Sequence, residues 1–425
     1  MVNKILKARR ENSYAECLFT ERLSGSVKIS GSKNAALSIL AATLLTDEEC
    51  VLENVPALDD VFVIFELLKR LGKEIMFSKN TAKIRGKAKH EDLPENLVRK
   101  LRASVLVMGP LLARRKKGSF AVPGGCALGE RPIDIHLDGL RALGAEYKIS
   151  QGRMVFGKRS LKGADIKLRF PSVGATENLL MAASGIPGKT VISNAAEEPE
   201  VHDLYLFLKA MGADISHVKN TYVISGKKRL AGCRFSVMPD RIEAGTFLLA
   251  AATVGGEVKV QNVIPGHLSS VTRALSATGA GVRIFSGGIK ITAAARPEAA
   301  DIETKSYPGF PTDLQPLWAV YMLKASGVSR IKENIFSGRF MYVDELKRLN
   351  AKMFLERDVL TVRPSRLSGA SLLACDLRAS AAMIIAGLAS HGKTTVSDLS
   401  HLFRGYENFF KKLKLLGANV SIKGA

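Results

Sequence analysis

At 425 residues, with 46% hydrophobic and 24% charged side chains, the chain has a globular composition and exceeds the length of one ordinary domain. Its 62 Lys and Arg against 40 Asp and Glu leave a net charge of +22, which points to anionic partners. The basic residues are scattered, and neither a nucleic-acid motif nor a run of stacking aromatics accompanies them, so no nucleic-acid partner is expected and most of the excess reads as solvated surface.

The chain starts with a basic segment, residues 1–10, that lacks the apolar core of a signal peptide. No apolar stretch approaches the roughly 20 residues of a membrane span, so membrane insertion is not expected and a cytoplasmic location is. A strand over 26–30 leads into Gly31-Ser-Lys-Asn-Ala-Ala36 and an apolar helix over 35–45. A strand (51–55) and an amphipathic helix (60–71) follow, the helix closing on Gly72, a residue suited to the left-handed cap.

That helix end recurs. Lys69-Arg-Leu-Gly72, Arg141-Ala-Leu-Gly144, Lys209-Ala-Met-Gly212, Ser276-Ala-Thr-Gly279, Lys347-Arg-Leu-Asn350 and Lys414-Leu-Leu-Gly417 are spaced by 72, 68, 67, 71 and 67 residues. Six repeats of about 70 residues are therefore expected. Apolar helices fall at 105–113, 178–186, 245–254, 317–323 and 381–389, and strands at 119–122, 190–193 and 394–397. A second amphipathic helix spans 204–211, and hairpins pair 145–150 with 154–157 and 282–285 with 289–292. Helices apolar around most of their circumference must be buried on all sides, with the amphipathic helices and sheets outside them.

Three repeats per domain let three buried helices share one core. The last repeat ends on a strand, 418–423, without a partner, and residues 15–20 can supply one. The expected domains are therefore 33–238, and 1–32 plus 239–425. Two chain crossings between them make a hinge, so closure around a ligand is expected.

Charged or hydrogen-bonding residues precede each apolar helix: Lys33-Asn34, Arg102, Ser172 to Thr176, Arg241, Asp313 and Arg378. Helix starts carry unpaired N–H groups and favour anions, although each residue alone could be only a cap. Lys33 in particular is costly at a buried helix start unless its ammonium meets an anion. Val122-Pro-Gly-Gly-Cys-Ala-Leu-Gly-Glu-Arg-Pro-Ile-Asp134 reads as a loop carrying a thiol, with Arg131 near enough to favour the thiolate. Cys126 on such a loop can act as general acid or nucleophile, or be an inert small residue in a turn. The other four cysteines stand in apolar or strand contexts and read as structural. An odd count without a CxxC pair argues against a disulfide scaffold or zinc site. His136 reads as a hydrogen-bonding loop residue, and Trp318 and Met181 as core.

In order along the chain, Gly31-Ser-Lys-Asn-Ala-Ala, Leu101-Arg-Ala-Ser, Pro123-Gly-Gly-Cys, Arg131-Pro-Ile-Asp, Ser172-Val-Gly-Ala-Thr, Phe310-Pro-Thr-Asp, Asp376-Leu-Arg-Ala-Ser and Arg404-Gly-Tyr-Glu resemble the UDP-N-acetylglucosamine enolpyruvyl transferases. The resemblance runs from about Leu23 to the C-terminus. It implies an α/β fold of two inside-out α/β barrel domains, each of three βαβαββ-type repeats. It also implies transfer of the enolpyruvyl group of phosphoenolpyruvate to the 3-hydroxyl of UDP-N-acetylglucosamine, the first committed step of peptidoglycan precursor synthesis. A monomer without metal or organic cofactor is implied, as is sensitivity to fosfomycin.

Residue by residue, Cys126 matches the acid that protonates the methylene carbon of phosphoenolpyruvate, and Asp313 the group that takes the sugar hydroxyl proton. Lys33, Asn34, Arg131, Arg378 and Arg404 match the phosphoenolpyruvate contacts. Asn34, Arg102, Arg131, Pro132, Ile133, Asp134, Ile135, Ser172, Val173, Gly174, Asp313 and Ile335 match the UDP-sugar contacts. Phe170 stands where some members have lysine, Glu197 where the pattern has arginine, and Gly338 where it has asparagine. The sister activity on shikimate 3-phosphate is the enzymatic alternative, disfavoured by the cysteine loop. A non-catalytic RNA-binding relative would be expected to lose the cations, which are all present.

Overall fold

The computed structural model describes residues 13–121, 133–150, 153–158, 160–227 and 229–424. Cys126, Arg131 and Pro132 lie outside these residues, as does most of the cysteine loop.

The first repeat shows why the sequence folds as it does. Ser32 caps the helix Lys33–Ala42, its side chain accepting from the backbone of Ala35, and every residue from Ala35 to Ala42 is buried. The strand Cys50–Glu53 follows. The helix Asp59–Arg70 opens on two aspartates and closes on Lys69 and Arg70, matching its dipole, and buries Val61, Ile64, Phe65, Leu67 and Leu68 along one stripe. Gly72 then turns the chain at φ +108, where a Cβ would come within 2.9 Å of Lys87 O and Lys89 N. Gly144, Gly212, Gly279 and Gly417 repeat this positive φ, and Asn350 adopts it at φ 66, which asparagine tolerates better than other residues with a Cβ.

Each repeat builds a small sheet around its hairpin. In the first, the strands run in the order Arg234–Ser236, Cys50–Glu53, Thr81–Arg85, Glu74–Ser78, with the outermost pair parallel and the rest antiparallel. The parallel strand comes from the end of the third repeat and pairs with the start of the first. Short parallel strands recur at Asp165–Lys167, Ile302–Glu303 and Ser371–Leu373. In the second repeat a single bridge between Asp92 and Ser119 takes that place.

An asparagine fastens this junction in four repeats. The side-chain amides of Asn54, Asn194 and Asn262 donate to Val237 O (2.8 Å), Leu168 O (2.8 Å) and Ile29 O (2.7 Å), each from a positive-φ residue just beyond its strand. Asn334 donates to Thr304 O at 3.0 Å. The second repeat has Val122 at this position and runs on into the cysteine loop.

The chain divides into two compact units, one from Gly31 to Met238 and one combining the residues up to Ser30 with those from Pro239 onward. In the Gly31–Met238 unit the helices Lys33–Ala42, Met108–Arg115 and Val173–Gly185, with the 3-10 turns that adjoin the first two, pack on one another. In the other unit Arg241–Val254, Gln315–Met322 and Leu377–Leu388 do the same; Ile242 through Val254 are all buried. The N-terminal segment belongs to this second core. Tyr14–Leu18 pairs antiparallel with both Val420–Lys423 and Lys393–Ser397, and Leu23–Lys28 pairs parallel with Gly256–Gln261.

Several boundaries depart from expectation: the helices expected at 245–254 and 381–389 start at Arg241 and Leu377, on their Asp240 and Asp376 caps, and the strand expected at 26–30 spans Leu23–Lys28. The helix expected at 178–186 starts at Val173, because Ser172 caps it. The helix expected at 105–113 is a 3-10 turn, Arg102–Val107, followed by Met108–Arg115. Among the described residues no helix is long and apolar enough to cross a membrane.

Candidate active site

In the Gly31–Met238 unit, Lys33 is the first residue of its helix and 15% exposed, with Nζ 3.4 Å from the buried Asp60 carboxylate. Asn34 beside it is half-buried. Glu177, on the helix Val173–Gly185, lies near Ser38 of the Lys33 helix; burial pushes its carboxyl up to about 8, against Ser38, and Glu200 and Glu198 push the same way as burial. A protonated carboxyl therefore lies in the wall behind the Lys33 helix.

Arg102, Ser172 and His136 come together at the start of a third helix. His136 was expected in a loop; it sits instead on the helix Asp134–Ala142, buried, with Nδ1 2.9 Å from Asn178 Nδ2. The same amide donates to Val105 O (2.9 Å), and Asn178 Oδ1 accepts from Gly109 N (2.8 Å). Asn178 thus acts as donor to both His136 and Val105, which places the imidazole proton on Nε2. Burial, reinforced by the charge of Arg102, lowers the His136 pKa to about 4, so the ring is neutral at physiological pH. Gly174 lies against this ring: a Cβ there would be 3.1 Å from His136 Cε1. Ser172 Oγ accepts from Ala175 N, leaving Val173 and Gly174 in the first turn.

Asp134 opens its own helix and is ion-paired to Arg169, which also reaches Asp138 at 3.5 Å. Ile133 and Ile135 flank it and pack partly into the core. Phe170, next to Arg169, is 46% exposed.

In the other unit the expected residues gather around Asp313. This aspartate lies in the 3-10 turn Thr312–Leu314 that leads into Gln315–Met322, and it does not cap that turn. Two guanidiniums hold it instead: Arg339 Nη1 is 2.8 Å from Oδ1 and Arg378 Nη2 is 3.6 Å from Oδ2. Both arginines are about 95% buried. Arg378 is the second residue of its helix, whose N-cap Asp376 accepts from the backbone N–H groups of Arg378 and Ala379. Its guanidinium lies 5.1 Å from the Tyr406 ring centroid, and the Tyr406 hydroxyl is 2.9 Å from Thr246 Oγ1. Arg339 Nε and Arg378 Nη1 are buried donors without a protein acceptor among the described residues, the kind that water or an anionic ligand satisfies.

Ile335 belongs to the same cluster through Glu333. Glu333 Oε1 accepts from Thr304 Oγ1 (2.8 Å) and from the backbone N–H of Ile335 (2.8 Å) and Phe336 (3.0 Å), while Oε2 accepts from Thr312 Oγ1 (2.9 Å). Thr312 Oγ1 in turn accepts from Arg339 at 3.0 Å. One buried carboxylate therefore ties the Ile335 backbone to the turn that carries Asp313. Arg404 ends the 3-10 turn Leu402–Arg404, which packs on the helix bearing Arg378.

A family model described as EPSP synthase (3-phosphoshikimate 1-carboxyvinyltransferase) matches residues 19–413. The chain belongs to this enolpyruvyl transferase family. A UDP-N-acetylglucosamine 1-carboxyvinyltransferase 1 from Caldanaerobacter subterraneus subsp. tengcongensis is 46% identical over 400 residues, covering 94% of this chain and 96% of the relative. The UDP-N-acetylglucosamine 1-carboxyvinyltransferase of Elusimicrobium minutum is 47% identical over 404 residues, with the same coverage. Among solved structures, the enolpyruvyl transferase NikO from Streptomyces tendae aligns with a TM-score of 0.88 over 97% of this chain and 99% of that one, at 24% identity. EPSP synthase from Acinetobacter baumannii aligns at 0.73 and 18% identity over 97% and 100%. These two likenesses establish the enolpyruvyl transferase fold.

Within this enolpyruvyl transferase, reading the sequence missed Arg339 and Glu333. Gly338 departs from the family pattern, whereas Arg339 beside it reads as an ordinary surface charge. A signal existed for Glu333, since Glu333-Asn334 repeats the Glu53-Asn54 that ends the strand of the first repeat.

Proposed function

We propose that the chain transfers the enolpyruvyl group of phosphoenolpyruvate to the 3-hydroxyl of UDP-N-acetylglucosamine, releasing phosphate, as the first committed step of peptidoglycan precursor synthesis. The observation that carries the reading is the set of relatives bearing that activity's name at 45–47% identity over 94% of this chain. The paired arginines on Asp313 support it, because they hold a carboxylate at a helix start beside donors that suit an anionic substrate.

In this reading Asp313 accepts the sugar hydroxyl proton as the oxygen adds to C2 of phosphoenolpyruvate. A carboxylate shared by two guanidiniums is a weak base, so proton transfer accompanies C–O bond formation instead of preceding it. Cys126 delivers a proton to the methylene carbon, giving a tetrahedral adduct that carries both phosphate and sugar. Loss of phosphate with a proton from the new methyl group restores the vinyl double bond. Lys33, Asn34, Arg131, Arg378 and Arg404 serve the phosphate and carboxylate of phosphoenolpyruvate, whose charge calls for several fixed cations. Arg102, Pro132, Ile133, Asp134, Ile135, Ser172, Val173, Gly174 and Ile335 serve the nucleotide sugar, with Ser172 to Gly174 offering helix-start N–H groups. Arg339 positions Asp313.

Phosphate release from phosphoenolpyruvate, measured with either UDP-N-acetylglucosamine or shikimate 3-phosphate, tests the reading. Release that depends on the nucleotide sugar is expected. Release with shikimate 3-phosphate alone would transfer the chain to the activity by which the family model is described.

A further inference from the structure

Two cysteines that the catalytic reading leaves unused lie side by side at the seam of the Gly31–Met238 unit. Cys50 begins the strand Cys50–Glu53, and Cys233 immediately precedes Arg234–Ser236, the strand that comes from the far end of the unit to pair with it. The pairing is parallel and sets Arg234 opposite Val51, so Cys233 extends the register opposite Cys50. Val51 N donates to Cys233 O at 2.8 Å, which holds the two residues side by side. Adjacent strands lie ~4.8 Å apart, within the Cα separation that a disulfide spans. Both sulfurs are free thiols here. Cys50 is fully buried, and Cys233 is partly exposed.

A buried ammonium lies near Cys50. Lys73 is 3% exposed and donates to Thr46 O at 2.5 Å. Desolvation lowers its pKa to about 8, with the charge of Cys50 opposing. The Cys50 thiol is shifted the other way from Cys17 and Cys375. Burial pushes those two up to about 12, whereas hydrogen bonding from Cys233, helped by Lys73, lowers Cys50 against burial and Glu48. Cys233 is raised in turn by Cys50 and by burial, so Cys50 is the member of the pair that ionises first, beside a second thiol with which it can form a disulfide.

The geometry points to Cys50 and Cys233 as a dithiol modification site that a low-molecular-weight disulfide oxidises to an intramolecular disulfide across the seam. The Cys50 thiolate takes the Cys233 proton, and the partly exposed Cys233 sulfur attacks one sulfur of the reagent RSSR. The S–S bond breaks, and the departing RS⁻ takes that proton from Cys50 to leave as RSH. The Cys50 thiolate then attacks Cys233 Sγ and expels the second RS⁻. The two protein sulfurs are oxidised by two electrons, and RSSR is reduced to RSH and RS⁻. The product staples the first repeat to the end of the third, a long closed loop of the kind in which cross-links restrict the unfolded chain most.

The test treats the full-length protein with oxidised glutathione, denatures it in acid, alkylates the remaining thiols and maps the peptides. The expected result is a dithiothreitol-reversible cross-link between the Cys50 and Cys233 peptides. It should be accompanied by a melting temperature raised by about 5–15 °C, from the loop-closure effect and the size of the unit. Cys233→Ser removes the cross-link and the rise together, and Lys73→Met slows cross-link formation at least several-fold. Recovery of both cysteines as alkylated thiols, or as separate glutathione adducts, overturns the proposal. So does a cross-link that joins either cysteine to a different partner.

Discussion

Replacing Glu333 by alanine removes a side chain that makes four hydrogen bonds yet touches no proposed reacting atom. The carboxylate accepts from two hydroxyls, Thr304 and Thr312, and from the backbone N–H groups of Ile335 and Phe336, all between 2.8 and 3.0 Å. The hydroxyls can turn to other partners, but the two N–H groups are fixed by the backbone. A buried donor left unsatisfied costs about 1–3 kcal/mol, so the pair costs about 2–6 kcal/mol. Loss of charge-assisted bonds to the hydroxyls adds to this, and release of a buried charge offsets part of it. A net destabilisation of about 3–5 kcal/mol follows. With roughly 2–4 °C per kcal/mol for a unit of this size, the melting transition of the unit containing Asp313 should fall by about 6–20 °C. Glu333→Gln keeps an acceptor for the N–H groups and should lose about 1–3 kcal/mol. Differential scanning calorimetry at fixed pH reads both variants. An alanine variant melting within about 2 °C of the parent would show that Glu333 does not hold this segment together.

Four further outcomes follow from the same structure. Asp313→Ala should lower kcat at least about a hundredfold, the lower range for general base catalysis, and a near-parental kcat would remove Asp313 from the chemistry. Glu177 has a raised folded pKa, about 8, so its contribution to stability is complete below its unfolded pKa and is lost as pH rises through 8. Glu177→Gln should therefore unfold in urea with a flatter pH dependence between pH 5 and 9, the two proteins diverging by about 2–4 kcal/mol; parallel curves would contradict the protonated carboxyl. Phe170→Lys should tighten UDP-sugar binding by up to about 1.5–3 kcal/mol in calorimetry; unchanged affinity would contradict this and point to Arg169 as the existing cation. Fosfomycin should alkylate Cys126 alone, and a label recovered on Cys50 or Cys375 would sink that assignment.

The repeat was legible because it is written in residues that the backbone requires. A left-handed turn favours glycine or asparagine, so the six helix ends share a recognisable residue pattern, and all six prove to have positive φ. The buried helices were legible because Ala, Leu and Ile fill their whole circumference. The short parallel strands were not, because two or three residues such as Ile302–Glu303 carry no period. The return of the N-terminal segment to the last repeat was legible from an unpaired strand, and Tyr14–Leu18 does pair there.

The proposed site residues divide along similar lines. Lys33, Ser172, Asp313 and Arg378 could be picked out because each interrupts the start of an apolar helix. Arg339 and Glu333 lie in an irregular stretch where a charged residue reads as ordinary surface, and only the fold shows them to be buried. His136 reads as a loop residue because a glycine- and proline-rich run precedes it. The helix that carries it starts two residues earlier, at Asp134, and Asn178, which holds the ring, comes from another repeat.

The central claim is the transfer of a three-carbon enol to a sugar hydroxyl, and the product tests it most directly. Purified protein incubated with carbon-13-labelled phosphoenolpyruvate and UDP-N-acetylglucosamine should yield a nucleotide sugar bearing a labelled carboxyvinyl ether at the 3-position, seen by NMR, with one phosphate released per ether formed. Phosphate released without that ether, or an ether formed only on shikimate 3-phosphate, would contradict the account.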